Sequence, residues 1–111
     1  MSELTRFEEQ ILLSVWKLQD SAYGTSIYHH IRNLTGRKLA IGGIYFPLER
    51  LVKKGYLAAF KGKPEPVRGG QSKRFYRLTE PGIDELIKAK KIQDRFWKGL
   101  PNIKFAGEEY R

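Results

Sequence analysis

The chain contains no cysteine. That excludes disulfides and thiolate catalysis, and it removes the commonest ligand of structural zinc. Histidine is nearly as scarce, with His29 and His30 the only two. Adjacent helix positions project about 100° apart, so the pair reads as surface rather than as a shared metal site. Acids number 12 against 21 Lys and Arg. The adjoining ones, Glu8-Glu9 and Glu108-Glu109, are neighbours along the chain and not across a cleft, which gives no acid–base pair. No apolar run approaches a membrane span, and Met1 to Arg6 is polar rather than secretory. These absences lead us to expect a soluble cytoplasmic protein that is not an enzyme, holds no metal or cofactor and engages no membrane.

Charge is present, and it is local. Between Lys53 and Arg77 lie eight basic residues (Lys53, Lys54, Lys61, Lys63, Arg68, Lys73, Arg74, Arg77) against Glu65 alone, +7 of the chain's net +9. Charge kept for solubility would be scattered, whereas a cluster reads as a footprint for a polyanion. At 111 residues one domain is expected, with a core modest enough that pairing with a second copy would add stability.

Hydrophobic periodicity supplies the elements. Thr5 followed by Glu8 is a capping box, and Phe7, Ile11, Leu12, Val15 and Leu18 form one helical face, which predicts a helix over Arg6–Gln19 with Trp16 beside the stripe. Ile27, Ile31 and Leu34 predict a second helix ending at Gly36, and Ile44, Leu48, Leu51 and Val52 a third ending at Gly55. Pro47 belongs near the start of that helix or marks a bend. "YLAAFK" and "SKRFYRLT" read as two strands around a basic turn, with Arg74, Tyr76 and Leu78 on one face of the second and Phe75 and Arg77 on the other. Thr79 then caps a fourth helix, Pro81 sits in its first turn, and Ile83, Leu86, Ile87, Ile92, Phe96 and Trp97 run along it to Gly99–Pro101.

Three helices, a basic hairpin and a further helix give the expected fold class: mainly α with a small β-hairpin, a winged helix-turn-helix carrying one C-terminal helix. A helix with polar and aromatic side chains near its N-terminus suits a DNA major groove, and a Lys/Arg-rich wing suits phosphates. On this reading Arg37 and Lys38 are phosphate clamps, the alternative being solvated linker charges, and Tyr28 and His29 are candidates to face DNA. Phe46 points away from the apolar stripe and is assigned to a base methyl or sugar. Tyr45 stands open between core packing and DNA contact, and Arg50 between DNA and a nearby acid. Lys63, Arg68, Lys73 and Arg74 are the wing candidates, with Arg74 sharing a strand face with Leu78. Gly69 and Gly70 supply the turn.

Order and spacing carry a resemblance. Tyr23-Gly24 with Ile27, Gly43-Ile44-Tyr45, Leu48, Arg50-Leu51, Lys54-Gly55, Gly69-Gly70, Lys73-Arg74, Tyr76, Leu78-Thr79 and Gly82 together resemble the PadR family of phenolic acid decarboxylase regulator-like transcription factors, in its short branch. The likeness spans roughly residues 4–86. It implies a homodimeric repressor of a pseudo-palindromic operator in double-stranded DNA. Residues 1–79 would form the DNA-binding domain, 80–99 the dimerisation helix and 100–111 a tail. It adds Tyr23, Gly43 and Gln71 to the DNA-binding candidates and gives Leu86, Ile92, Phe96 and Trp97 to dimerisation. Some short-branch members are similar to multidrug sensors that take flat aromatic compounds between subunits, so Trp16 and Trp97 are candidates for a planar aromatic effector, with ordinary interface packing the alternative for Trp97. Three departures stand out: Phe46 falls between Tyr45 and Pro47, Gln71 follows the glycine pair where arginine is common, and Thr25-Ser26 replace an aromatic and an acid. The rival reading is a winged-helix module that binds an acidic protein partner.

Overall fold

The computed structural model describes residues 4–62 and 73–100. Lys63, Glu65, Arg68, Gly69, Gly70 and Gln71, and the tail after Leu100, lie outside the described residues.

Helix α1 spans Arg6–Leu18 and starts on the expected capping box: the Thr5 N–H donates to Glu8 Oε1 at 2.8 Å, and the Glu8 N–H donates to Thr5 Oγ1 at 3.1 Å. It ends one residue before the expected Gln19. There the backbone turns to φ 52°, and the Gln19 N–H still reaches the Val15 carbonyl. Helix α2 spans Gly24–Thr35 and stops on Gly36 at φ 70°, as its sequence implies. The Ser26 hydroxyl takes the Tyr23 N–H at 2.9 Å and donates to the Ser21 carbonyl, so this departure from the family pattern fixes the α2 entry. A 3-10 turn over Ile41–Ile44 leads into α3, Tyr45–Lys53. Pro47 is the third residue of α3, where an N–H would have no helical partner, so the helix needs no bend.

Strands β1 (Leu57–Lys61) and β2 (Arg74–Leu78) pair antiparallel, with Leu57 opposite Leu78 and Lys61 opposite Arg74. Period-2 alternation puts Leu57, Tyr76 and Leu78 on the inner face and Phe60, Phe75 and Arg77 on the outer one. A bridge between Tyr23 and Phe75, and the Tyr76 N–H donating to the Ala22 carbonyl at 2.9 Å, tie β2 to the start of α2. Helix α4, Glu80–Trp97, is capped by the Thr79 hydroxyl, which accepts the Gly82 N–H at 3.1 Å.

The core joins Ile11, Leu12 and Val15 of α1, Ile27 and Ile31 of α2, Ile44, Leu48 and Leu51 around α3, and Leu57 and Tyr76 of the hairpin. Leu34 departs from its expected place on the stripe. It is 69% exposed, lining a pocket with Gln10, Leu13 and Lys17 of α1. His30 departs too: its Nδ1 pairs with the buried Ser14 hydroxyl at 2.8 Å instead of standing in solvent. The Tyr28 hydroxyl, offered to DNA by the sequence reading, donates to the Leu39 carbonyl at 2.8 Å.

Candidate nucleic-acid interface

The apolar positions of α3 fix its orientation. Pro47, Leu48 and Leu51 face the core, which turns Tyr45, Phe46, Glu49, Arg50 and Lys53 outward. Phe46 is 72% exposed. Packing gives no account of a large ring left in water at a helix start. Its contact is Arg50, one turn on, whose guanidinium stands 5.2 Å from the ring centroid. Arg50 also approaches the buried Glu8 carboxylate at 3.9 Å, as does Lys54. The acid left open as a partner for Arg50 is therefore Glu8, at the α1 N-terminus.

On the other edge of α3, Tyr45 leans across α2's first residue; a Cβ on Gly24 would meet its ring. Tyr45 is half-exposed and lines a cleft of about 460 Å³ with Tyr23, Thr25, Glu49, Lys73, Arg74 and Tyr76. The Lys73 ammonium stands 4.2 Å from the Tyr23 ring centroid, and Tyr23 packs edge-on to Phe75. Arg37 and Lys38 are exposed in the loop before the 3-10 turn, with the Arg37 guanidinium 5.6 Å from the Phe7 ring centroid. Gly43 is exposed with open space above it. The structure thus brings Tyr23, Tyr45, Lys73 and Arg74 around one cleft, with Phe46 and Arg50 on the opposite edge of α3.

One residue of this surface escaped the sequence reading. Glu49 accepts from Arg74 twice, Nη2 to Oε1 at 2.8 Å and Nε to Oε2 at 3.0 Å, and from the Tyr76 hydroxyl at 2.8 Å. The Arg74 guanidinium holds the Glu49 carboxyl below its ordinary value. Burial, then the hydrogen bond to Glu49, pushes the Tyr76 phenol up to about 12. The partners are 25 and 27 residues apart, so no local pattern signals the pairing.

A second surface lies away from this one. Leu13 and Trp16 of α1 and Ile83, Leu86 and Ile87 of α4 line an apolar groove of about 740 Å³, rimmed by Glu9, Lys90 and Gln93. Of the residues assigned to dimerisation or ligand, this groove gathers Trp16 and Leu86. Ile92, Phe96 and Trp97 continue along α4 beyond it, with Trp97 about 16 Å from Leu86 along the axis and both terminal aromatics exposed. Among the described residues, no helix is long and apolar enough to cross a membrane, and no group of three His, Asp or Glu could hold a metal.

The sequence of residues 12–88 matches the model of the transcriptional regulator PadR-like family. The chain belongs to that family. Its members are transcriptional regulators rather than enzymes, which establishes DNA-binding regulation as the general activity. No curated protein shows significant similarity to the chain. Among solved structures, a PadR family transcription regulator from Clostridium difficile is 28% identical with a TM-score of 0.60, covering 87% of this chain and 97% of its own. A PadR-like transcriptional regulator from Bacillus cereus superposes with a TM-score of 0.67 at 19% identity, over 87% of this chain and 89% of its own. A putative transcriptional regulator from Thermoplasma acidophilum gives 0.67 at 19%, over 89% and 95%. The mainly helical fold with its two-stranded wing is that of this PadR-like regulator family.

Proposed function

We propose that this PadR-like chain is a homodimeric repressor that reads a pseudo-palindromic operator with α3 and grips the adjoining backbone with its wing. The observation that carries the reading is Phe46, 72% exposed at the start of α3 and braced by Arg50. An aromatic ring there suits a thymine methyl in a major groove, and the stacked guanidinium suits a guanine edge or a phosphate. Tyr23 and Tyr45 stand on the other edge of α3, Arg37, Lys38 and Gly43 precede the helix, Lys73 with the wing residues Lys63 and Arg68 supplies positive charge, and Gln71 adds a neutral polar contact.

Dimerisation through α1 and α4 is supported by the groove of Leu13, Trp16, Ile83, Leu86 and Ile87, continued by Ile92, Phe96 and Trp97. A contiguous apolar surface of this kind is costly to leave in water and suits a protein–protein interface. Trp16 and Trp97 give such an interface two large flat faces, which is the basis for a planar aromatic effector between subunits.

Fluorescence anisotropy with a labelled duplex from upstream of the protein's own gene, in competition with random DNA at several salt concentrations, tests the reading. Tight, competitor-resistant binding with a steep salt dependence is the expected result. Weak binding, equal on both duplexes, at that locus and on duplexes selected from a random pool, would reject sequence-specific recognition and leave the acidic-protein partner as the better account.

A further inference from the structure

A groove-facing helix has little use for a carboxylate, because an acid pointed at phosphates repels them. Glu49 nevertheless sits on the outward face of α3, one turn after Tyr45 and three residues after Phe46. Cytosine N4 is one target for such an acid. Here, however, both carboxylate oxygens already take donors: Oε1 from Arg74 Nη2 at 2.8 Å, and Oε2 from Arg74 Nε at 3.0 Å and the Tyr76 hydroxyl at 2.8 Å. The bidentate fork fixes direction as well as distance, which a single ammonium would not. Tyr76 is 2% exposed and its own N–H is bonded to the Ala22 carbonyl, so its hydroxyl is aimed by the core. The three side chains therefore join α3, β2 and the chain entering α2 at one point.

We propose that Arg74 anchors the wing to the reading helix rather than contacting phosphate, and that Glu49 is a positioning residue that sets the wing's angle on DNA. The proposal rests on the DNA-binding reading above. It reassigns the cation of the wing's second strand whose guanidinium fork is already matched to a carboxylate, and it leaves phosphate contact to the others. Loss of either partner would let the wing drift from the register set by α3. Selectivity would then fall while general attraction to DNA persisted.

The experiment compares wild type, Arg74→Ala, Glu49→Ala and the double variant on two duplexes: one selected by the wild-type protein from a random pool, and a scrambled copy. Affinity is followed across salt concentrations. Each single variant is expected to lose about tenfold on the selected duplex, and the double variant no more than either single. On the scrambled duplex the double variant, which removes both charges of the pair, keeps the wild-type salt slope, whereas Glu49→Ala, with its arginine released to reach a phosphate, steepens it by about one. Arg74→Lys covers the case in which the alanine variants fail to fold. It keeps the charge but loses the fork, so it too should lose selectivity with an unchanged slope. A double-variant slope shallower by about one would overturn the proposal, as would an Arg74→Lys protein with full selectivity. A wild-type protein that binds neither duplex would remove the DNA reading itself, a failure visible before any variant is compared.

Discussion

Gly82 is the third residue of α4, and an alanine there has a backbone for a neighbour. Its Cβ would lie 2.8 Å from Leu78 Cδ1 and 3.1 Å from the Tyr56 carbonyl carbon, and would overlap the Tyr56 carbonyl oxygen. That oxygen has little room to retreat, since it accepts the Thr79 N–H at 3.2 Å and the Thr79 hydroxyl holds the Gly55 carbonyl at 2.6 Å. Alanine would contribute about 0.5–1 kcal/mol through helix propensity. Overpacking costs about 1–3 kcal/mol, and a rigid obstacle places this site at the upper end. The net expectation for Gly82→Ala is a loss of about 1–2 kcal/mol. For a domain near this size that lowers the melting midpoint by about 5–15 °C in thermal circular dichroism. Gly24→Ala is the matched control. Its Cβ would come within 2.5 Å of Tyr45 Cε1 and 2.8 Å of its hydroxyl, a comparable clash by distance, but the obstacle is a half-exposed ring able to swing. Its midpoint should move by no more than about 3 °C. An unchanged or raised midpoint for Gly82→Ala, or equal losses at both glycines, would refute the distinction between rigid and yielding neighbours.

Phe46→Ala should leave the melting midpoint within about 3 °C, because the ring is largely in water, yet flatten the preference for the selected duplex by about tenfold or more. Equal losses on selected and scrambled DNA would remove Phe46 from base reading. The Arg74–Glu49 pair predicts a definite acid response. Glu49's carboxyl is held below its ordinary value of 4.5, so its stabilisation is complete above that value and lost as pH falls through the lowered one. The melting gap between wild type and Glu49→Gln should therefore narrow between about pH 6 and pH 3, and a gap that widens on acidification would contradict the sign. Ile87→Glu, in the middle of the α1–α4 groove, should halve the solution mass in light scattering with secondary structure retained. An unchanged mass for this variant, equal to that of wild type, would move the subunit contact elsewhere.

The elements were legible because each is announced by neighbours in sequence. Thr5 with Glu8, Thr79 with Pro81 and Gly36 after Leu34 are short-range signals, and the 3.6-residue stripes of α1 and α3 point at the core they form. Leu34 was misread because periodicity says which side of a helix is apolar but not whether each position on that side is covered. Gln19 carries a positive φ that no residue type near it advertises. The candidate site was legible only in part. Phe46 stood out as an aromatic off the stripe, whereas Glu49 looked like an ordinary exposed acid on a helix. Its meaning comes from β2, which folding brings across some 25 residues of chain.

The same contrast sorts the basic residues by what holds them. Arg74, Arg50 and Lys54 each have an acid within 4.0 Å, Glu49 for the first and Glu8 for the other two. An ion pair cancels the charge that would attract a phosphate, so these cations do more for geometry than for the field of the surface. Arg37 and Arg77 instead lie over the rings of Phe7 and Phe60. A ring orients a guanidinium through its quadrupole while leaving the full positive charge in place. Arg50 has both kinds of partner, with Phe46 on its face and Glu8 at 3.9 Å, longer than a hydrogen bond. It is thus an acid-paired cation readily drawn off by a guanine edge or a phosphate, and the ring that braces it is the one most exposed at the start of α3. Counting charge located the footprint in the sequence. Which charges remain to be felt outside depends on whether folding gave each one a carboxylate or an aromatic face.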